Sequence, residues 1–149
     1  MQRTTDVLIS IRRMIKLYEK MLKRACEKYQ LTQIEADIIS FLQNNPGKDT
    51  ARDIAELRML SKGNVSQAVE NLIQRSLLKR QQDTADRRRI HLSLLLKAKP
   101  MMGEIEKMRQ EFQEEVFAGF SQEEREQYAA FNDRIMQNTN SAMERRKKA

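Results

Sequence analysis

The chain has 149 residues, of which 40% are hydrophobic and 33% charged, which places it among ordinary globular proteins rather than membrane or low-complexity ones. No stretch approaches the roughly 18 consecutive apolar residues of a membrane span, and the N-terminus lacks the apolar core of a signal peptide, so one cytoplasmic domain with no membrane partner is expected. Twenty-eight Lys and Arg against 21 acidic residues give a net charge of +7, which suits a polyanionic partner without separating nucleic acid from an anionic surface.

Four Gly, two Pro and no Trp leave few turns for a sheet-rich fold, whereas Met, Leu, Gln, Glu, Lys and Arg favour helices; the expected fold is mainly α. Cys26 and His91, each the single residue of its type, exclude an intrachain disulfide and the usual three- or four-ligand zinc site, and no cofactor or metal is expected. No Gly-rich phosphate loop or nucleophile elbow is present, which argues against an enzyme.

From Leu8, apolar residues recur at Ile11, Ile15, Tyr18, Leu22, Ala25 and Tyr29, a spacing that predicts a long amphipathic helix. A second helix starts at a Thr32/Glu35 capping box, carries Ile34, Ile38, Phe41 and Leu42, and stops at Asn45-Pro46-Gly47. Thr50 and Asp53 form another box before a short helix whose apolar side is Ile54, Ala55, Leu57 and Leu60. Ser61 then caps a helix with a buried stripe of Val65, Val69, Leu72 and Ile73, and two helices joined by so short a turn read as a helix-turn-helix.

After Ser76 the period changes. Leu77–Gln82 and the alternating Ile90, Leu92 and Leu94 predict two strands around a polar tip, Asp83 to Arg88, with His91 pointing away from the core as a surface or phosphate-adjacent residue. Helical spacing resumes with Met101, Ile105, Met108, Phe112 and Val116; Gly119 interrupts it, and a Ser121/Glu124 box opens a last helix lined by Tyr128, Phe131, Ile135 and Met136. Charge follows this division: residues 51–100 hold eleven basic against five acidic side chains, while 101–140 is net acidic. The terminal run Glu144 to Lys148 is expected to be solvated and frayed.

The order helix-turn-helix, basic hairpin and flanking long helices resembles the MarR (multiple-antibiotic-resistance regulator) family of winged-helix transcription factors. The resemblance rests on Leu31-Thr32 through Leu42, on Arg52-Asp53-Ile54-Ala55, on Ser61 through Leu72, and above all on Asp83-Thr84-Ala85-Asp86-Arg87-Arg88 followed by Leu92-Ser93. Ser76 and Leu96 stand where the family usually has Gly, which leaves the end of one helix and the start of the next open. The resemblance implies a single domain over 1–149: a winged helix-turn-helix core over about 32–97, flanked by dimerisation helices over about 5–30 and 98–146.

On that resemblance the chain is a homodimeric, sequence-specific regulator of transcription, expected to repress, that binds a pseudo-palindromic double-stranded DNA operator. Short polar side chains at the first turns of a helix can reach base edges, which suits Ser61, Lys62, Asn64, Ser66 and Gln67, with Asn71 as a backbone contact. In the hairpin Arg88 matches the minor-groove arginine of the family, Asp86 resembles the acidic partner that orients it, and Arg87 and Arg89 suit phosphate. A merely solvated polar face is the alternative for all of these, and with it a winged-helix module that binds protein.

The terminal helices carry apolar faces too long for segment 32–97 to bury, and Leu8, Ile11, Phe120, Phe131 and Ile135 are candidates for the dimer interface. The family pattern also implies release by a small aromatic effector, for which Met14, Tyr18, Met21 and Met108 could line a pocket, though Met at helical spacing equally fills cores. Cys26 raises a peroxide-sensing alternative. Family sensors carry that cysteine near the start of the first helix, however, and here it lies near the end beside Ala25 and Tyr29, so a packed, inert thiol is expected.

Overall fold

The computed structural model describes residues 2–147, which leaves Lys148 of the terminal basic run outside. The chain divides into two compact units, residues 1–112 and 113–149. The cut falls within one helix, Lys99–Val116.

The first unit begins with α1 (Arg3–Tyr29), capped by Gln2, whose side chain accepts the Thr5 N–H at 3.2 Å. Its apolar stripe divides: Leu22 and Ala25 are buried, while Leu8, Ile11 and Ile15 are exposed. α2 (Gln33–Asn44) and α3 (Ala51–Leu57) both open with complete capping boxes, Thr32 with Glu35 and Thr50 with Asp53. Each box pairs two backbone N–H groups that a helix start would otherwise leave unpaired. Ser61 caps α4 (Lys62–Gln74) by accepting the Asn64 N–H at 3.1 Å.

The strands β1 (Leu78–Gln82) and β2 (Ile90–Leu94) pair antiparallel, Arg80 opposite Leu92 and Gln81 opposite His91. The Leu92 N–H reaches past the hairpin to the Asp49 carbonyl at 2.8 Å, which ties β2 to the segment preceding α3. A short 3₁₀ turn (Leu96–Ala98) leads into α5 (Lys99–Val116), so the missing glycine at Leu96 does not prevent a helix from starting there. Ile38, Ile39, Ile54, Val65, Leu72, Leu77, Leu78 and Ile105 are fully buried, and they join α2, α3, α4, the hairpin and α5 in one core.

Two expectations about apolar faces need correction. Leu57 is 58% exposed, because it is the last residue of α3 and the chain turns at once through Arg58 and Met59. Ile90 is also exposed at the start of β2, and of the three alternating residues only Leu92 is fully inside.

In the second unit, Gly119 adopts the left-handed backbone (φ 84°) and a Ser121/Glu124 box opens α6 (Gln122–Lys147). Phe117 stacks edge-on with Phe120 and Tyr128 at 5.6 and 5.2 Å, and the Arg125 guanidinium lies 5.7 Å from the Phe117 ring. α6 has no buried residue among those described.

Candidate nucleic-acid interface

Burial of Val65, Ala68, Val69 and Leu72 against the core fixes which side of α4 faces out. On that side Lys62, Asn64, Ser66 and Gln67 are exposed at the helix start, and Asn71 is half-buried one turn further on. Gln67 Nε2 donates to Asn71 Oδ1 at 3.0 Å, so one amide holds the other. The free N–H groups of the first turn and the aligned peptide dipoles give this end a positive potential.

The hairpin tip is built by aspartates. One carboxylate oxygen of Asp83 accepts the N–H groups of Ala85 and Asp86 at 2.9 and 2.7 Å, and Asp86 accepts the Arg88 N–H at 3.0 Å. Asp86 also lies 3.5 Å from Arg88 Nε, while the Arg88 side chain is 94% exposed. The tip thus fixes the arginine at its root and leaves the guanidinium exposed to solvent. Arg87 and Arg89 are exposed as well; Arg89 lies outside β2, with its backbone bonded to Asp83 and Asp86.

His91 departs most from expectation. It is half-buried, with Nδ1 2.7 Å from Asp49 and Nε2 2.7 Å from Asp83, and is therefore neither a free surface residue nor open to phosphate. Hydrogen bonding to Asp49 and then to Asp83 raises its pKa above the usual 6.5. The Asp83 carboxyl is correspondingly pulled down to about 2, by His91 first and by the backbone N–H groups of Asp86 and Ala85 next.

Sequence reading also missed two ion pairs: Arg80 with Glu70, which joins β1 to α4, and Arg58 with the buried Asp37 at 3.3 Å. Burial pushes the Asp37 carboxyl up despite Arg58. Partners ten or more positions apart leave no periodic signal in a sequence.

The four residues suggested for a ligand pocket do not converge. Met21 and Met108 line a cleft of about 550 Å³ between α1 and α5, rimmed by Lys20, Arg24, Lys28 and Lys107 together with Glu104 and Glu111, of which Glu104 pairs with Lys28 at 2.6 Å. Tyr18 instead packs edge-on to Phe112 at 5.3 Å, and neither it nor Met14 lines the cleft. Cys26 is half-buried with Sγ 3.8 Å from the Thr32 carbonyl; burial, then Asp37, Glu35 and Glu27, push its thiol up. That is the reverse of what a reactive thiolate needs. No cluster of metal-ligating side chains and no helix apolar enough to cross a membrane occurs among the described residues.

A short helix, a tight turn, a helix with a polar outer face and an arginine-tipped hairpin together make a winged helix-turn-helix. Residues 29–89, from the end of α1 to the base of β2, match the model of the MarR family, and the resemblance read from the sequence stands. The fold is that of MarR-type structures. A MarR transcriptional regulator from Methanosarcina mazei Go1 superposes with a TM-score of 0.77 at 17% identity, covering 93% of this chain and 99% of that one. MepR of S. aureus in complex with DNA gives 0.68 at 19% identity over 93% and 98% of the two chains. BpsR of Bordetella bronchiseptica, whose DNA binding is regulated by 6-hydroxynicotinic acid, gives 0.66 at 19% identity over 88% and 98%. No curated protein matches the chain in sequence. The chain therefore has the fold of MarR-family DNA-binding transcriptional regulators.

Proposed function

We propose that this protein is a cytoplasmic transcriptional repressor, not an enzyme, that binds a pseudo-palindromic operator as a homodimer. The single observation that carries this reading is the hairpin tip, where Asp86 holds the Arg88 backbone while its guanidinium stands 94% exposed. A charge kept only for solubility has no need of a fixed root. Arg88 enters a minor groove, where narrow A·T segments concentrate negative potential, and Arg87 and Arg89 meet phosphates. Ser61, Lys62, Asn64, Ser66 and Gln67 face base edges in the adjoining major groove, with Asn71 supporting Gln67.

Leu8 and Ile11 of α1, Phe120 just before α6, and Phe131 and Ile135 of α6 meet a second subunit, so that the segments 5–30 and 98–146 dimerise and the two recognition helices sit about one helical turn, or roughly 10 bp, apart. The DNA-bound neighbour supports the partner, and the neighbour regulated by 6-hydroxynicotinic acid supports a small aromatic effector. The cleft at Met21 and Met108, whose four cationic side chains outnumber its two glutamates, suits an aromatic anion.

Selection of bound fragments from random duplex DNA, followed by titration against salt, tests the reading. The selected site is expected to be pseudo-palindromic, and affinity to fall steeply with salt as phosphate contacts release counterions. Arg88→Ala should weaken binding at least tenfold, by about 1.4 kcal/mol or more. A dimer that selects no duplex would point to a protein-binding module instead.

A further inference from the structure

We propose that His91 is a proton-controlled positioning residue for the hairpin: as an imidazolium it clasps Asp49 and Asp83 together and so holds the arginine-bearing tip in the shape that meets DNA. This rests on the DNA-binding reading above. The clasp joins parts far apart in sequence, since Asp49 precedes α3 and Asp83 opens the hairpin tip. From Asp83 the connection continues through its acceptance of the Asp86 N–H to Asp86, which holds Arg88 by backbone and side chain.

The chemistry of the ring sets the dependence on protons. A neutral imidazole has one N–H donor, whereas an ionised carboxylate only accepts. Both ring nitrogens face carboxylate oxygens at 2.7 Å, so both contacts are attractive only when both nitrogens carry protons. Loss of one proton aims a lone pair at a carboxylate, and one contact must open. Asp49 from the α2–α3 loop and Asp83 from the hairpin are the charged groups that act on the ring; its cross-strand partner Gln81 is neutral. Because the folded pKa lies above the unfolded value of 6.5, the clasp is complete below about pH 6.5 and is lost as pH rises through the folded pKa. Opening also changes the net charge of the cluster from −1 to −2 beside the DNA face, which further disfavours phosphate.

The test compares the full-length protein with His91→Gln and Asp49→Asn at constant ionic strength, from about pH 6 to about pH 8.5. Binding to random-sequence duplex DNA at low salt is measured alongside the NMR titration of the one histidine ring and the exchange protection of the Ala85 and Asp86 amides. Wild-type affinity and amide protection are expected to fall together through the ring's own titration, affinity by roughly three- to tenfold. His91→Gln should bind as weakly as the high-pH wild type, with no such step. Asp49→Asn should bind well and without the step, because an Asn N–H can donate to the bare nitrogen of a neutral ring; a merely structural histidine would not be rescued in this way.

A flat wild-type profile, or the same step in His91→Gln, would overturn the proposal. If the wild type bound no DNA at any pH, the DNA-binding reading would fall, and the positioning role with it. Amide protection would then still show whether the proton-controlled clasp exists.

Discussion

Two helices of this chain solve opposite problems. α4 has 13 residues, and Val65, Ala68, Val69 and Leu72 bury its apolar side while Lys62, Asn64, Ser66 and Gln67 face out. α6 has 26 residues and none of them is buried, although Tyr128, Phe131, Ile135, Met136 and Met143 are large and apolar. A helix gains most of its stability from packing one face, and a fully buried side chain of this size contributes about 1.5–3 kcal/mol. The needs of α4 are met within its own unit, so its polar surface is free for a ligand that water can replace. Those of α6 are not met within its own unit, and the proposed function gives its apolar residues to a second subunit. The surface proposed for DNA and the surface proposed for a second subunit thus lie on different helices and can be broken separately.

The largest effect is expected from α6. Phe131→Asp combined with Ile135→Asp places charge on side chains that are 56% and 59% exposed, so the fold of the single chain should tolerate both. Sedimentation should show a monomer, with operator binding lost, while hydrogen exchange in α4 is unchanged. A double variant that still sediments as a dimer would remove α6 from the interface and undo the contrast between the two helices.

A smaller and more local effect is expected in α4. Gln67→Ala removes an amide able to pair with adenine and releases Asn71 from its 3.0 Å bond. Discrimination at one base pair of each half-site should fall by about 1–3 kcal/mol, while the salt dependence, set by phosphate contacts, keeps its slope. Binding to a panel of single-base variants separates this from Arg88→Ala, which lowers affinity across sequences. A uniform loss for Gln67→Ala would make it a backbone contact.

What could be read from the sequence was local. The boxes at Thr32/Glu35, Thr50/Asp53 and Ser121/Glu124 span four residues each, and all three form. The period of α4 identified its buried side because one face meets one core. In α1 the same kind of period placed Leu8 and Leu22 on one stripe but could not say that one is covered and the other bare, since that depends on where the rest of the chain ends. Strand alternation sent His91 away from the core but carried no information about Asp49, 42 residues earlier, whose carboxylate waits on that side. The arginines were visible as a charged run; the aspartate hydrogen bonds that shape their loop depend on backbone geometry that the residue types only hint at.

The departure at Ser76 offers the smallest effect and the cleanest sign. α4 ends with the Ser76 N–H bonded to Ile73 at 2.9 Å and the Leu77 N–H bonded to Leu72 at 3.0 Å, the double bond pattern of a left-handed helix terminus, sealed by the fully buried pair Leu72 and Leu77. That closure needs positive φ at Ser76, which is 60°. A Cβ in this region costs about 1 kcal/mol, and only part of it is returned by the greater freedom that Gly has in the unfolded chain. Ser76 is exposed and its side chain seals nothing, so Ser76→Gly should stabilise the protein by about 0.5 kcal/mol and raise the melting temperature by roughly 1–2 °C. A loss of stability would mean that the hydroxyl does more for this turn than the backbone geometry requires, and that the helix end was matched to serine after all.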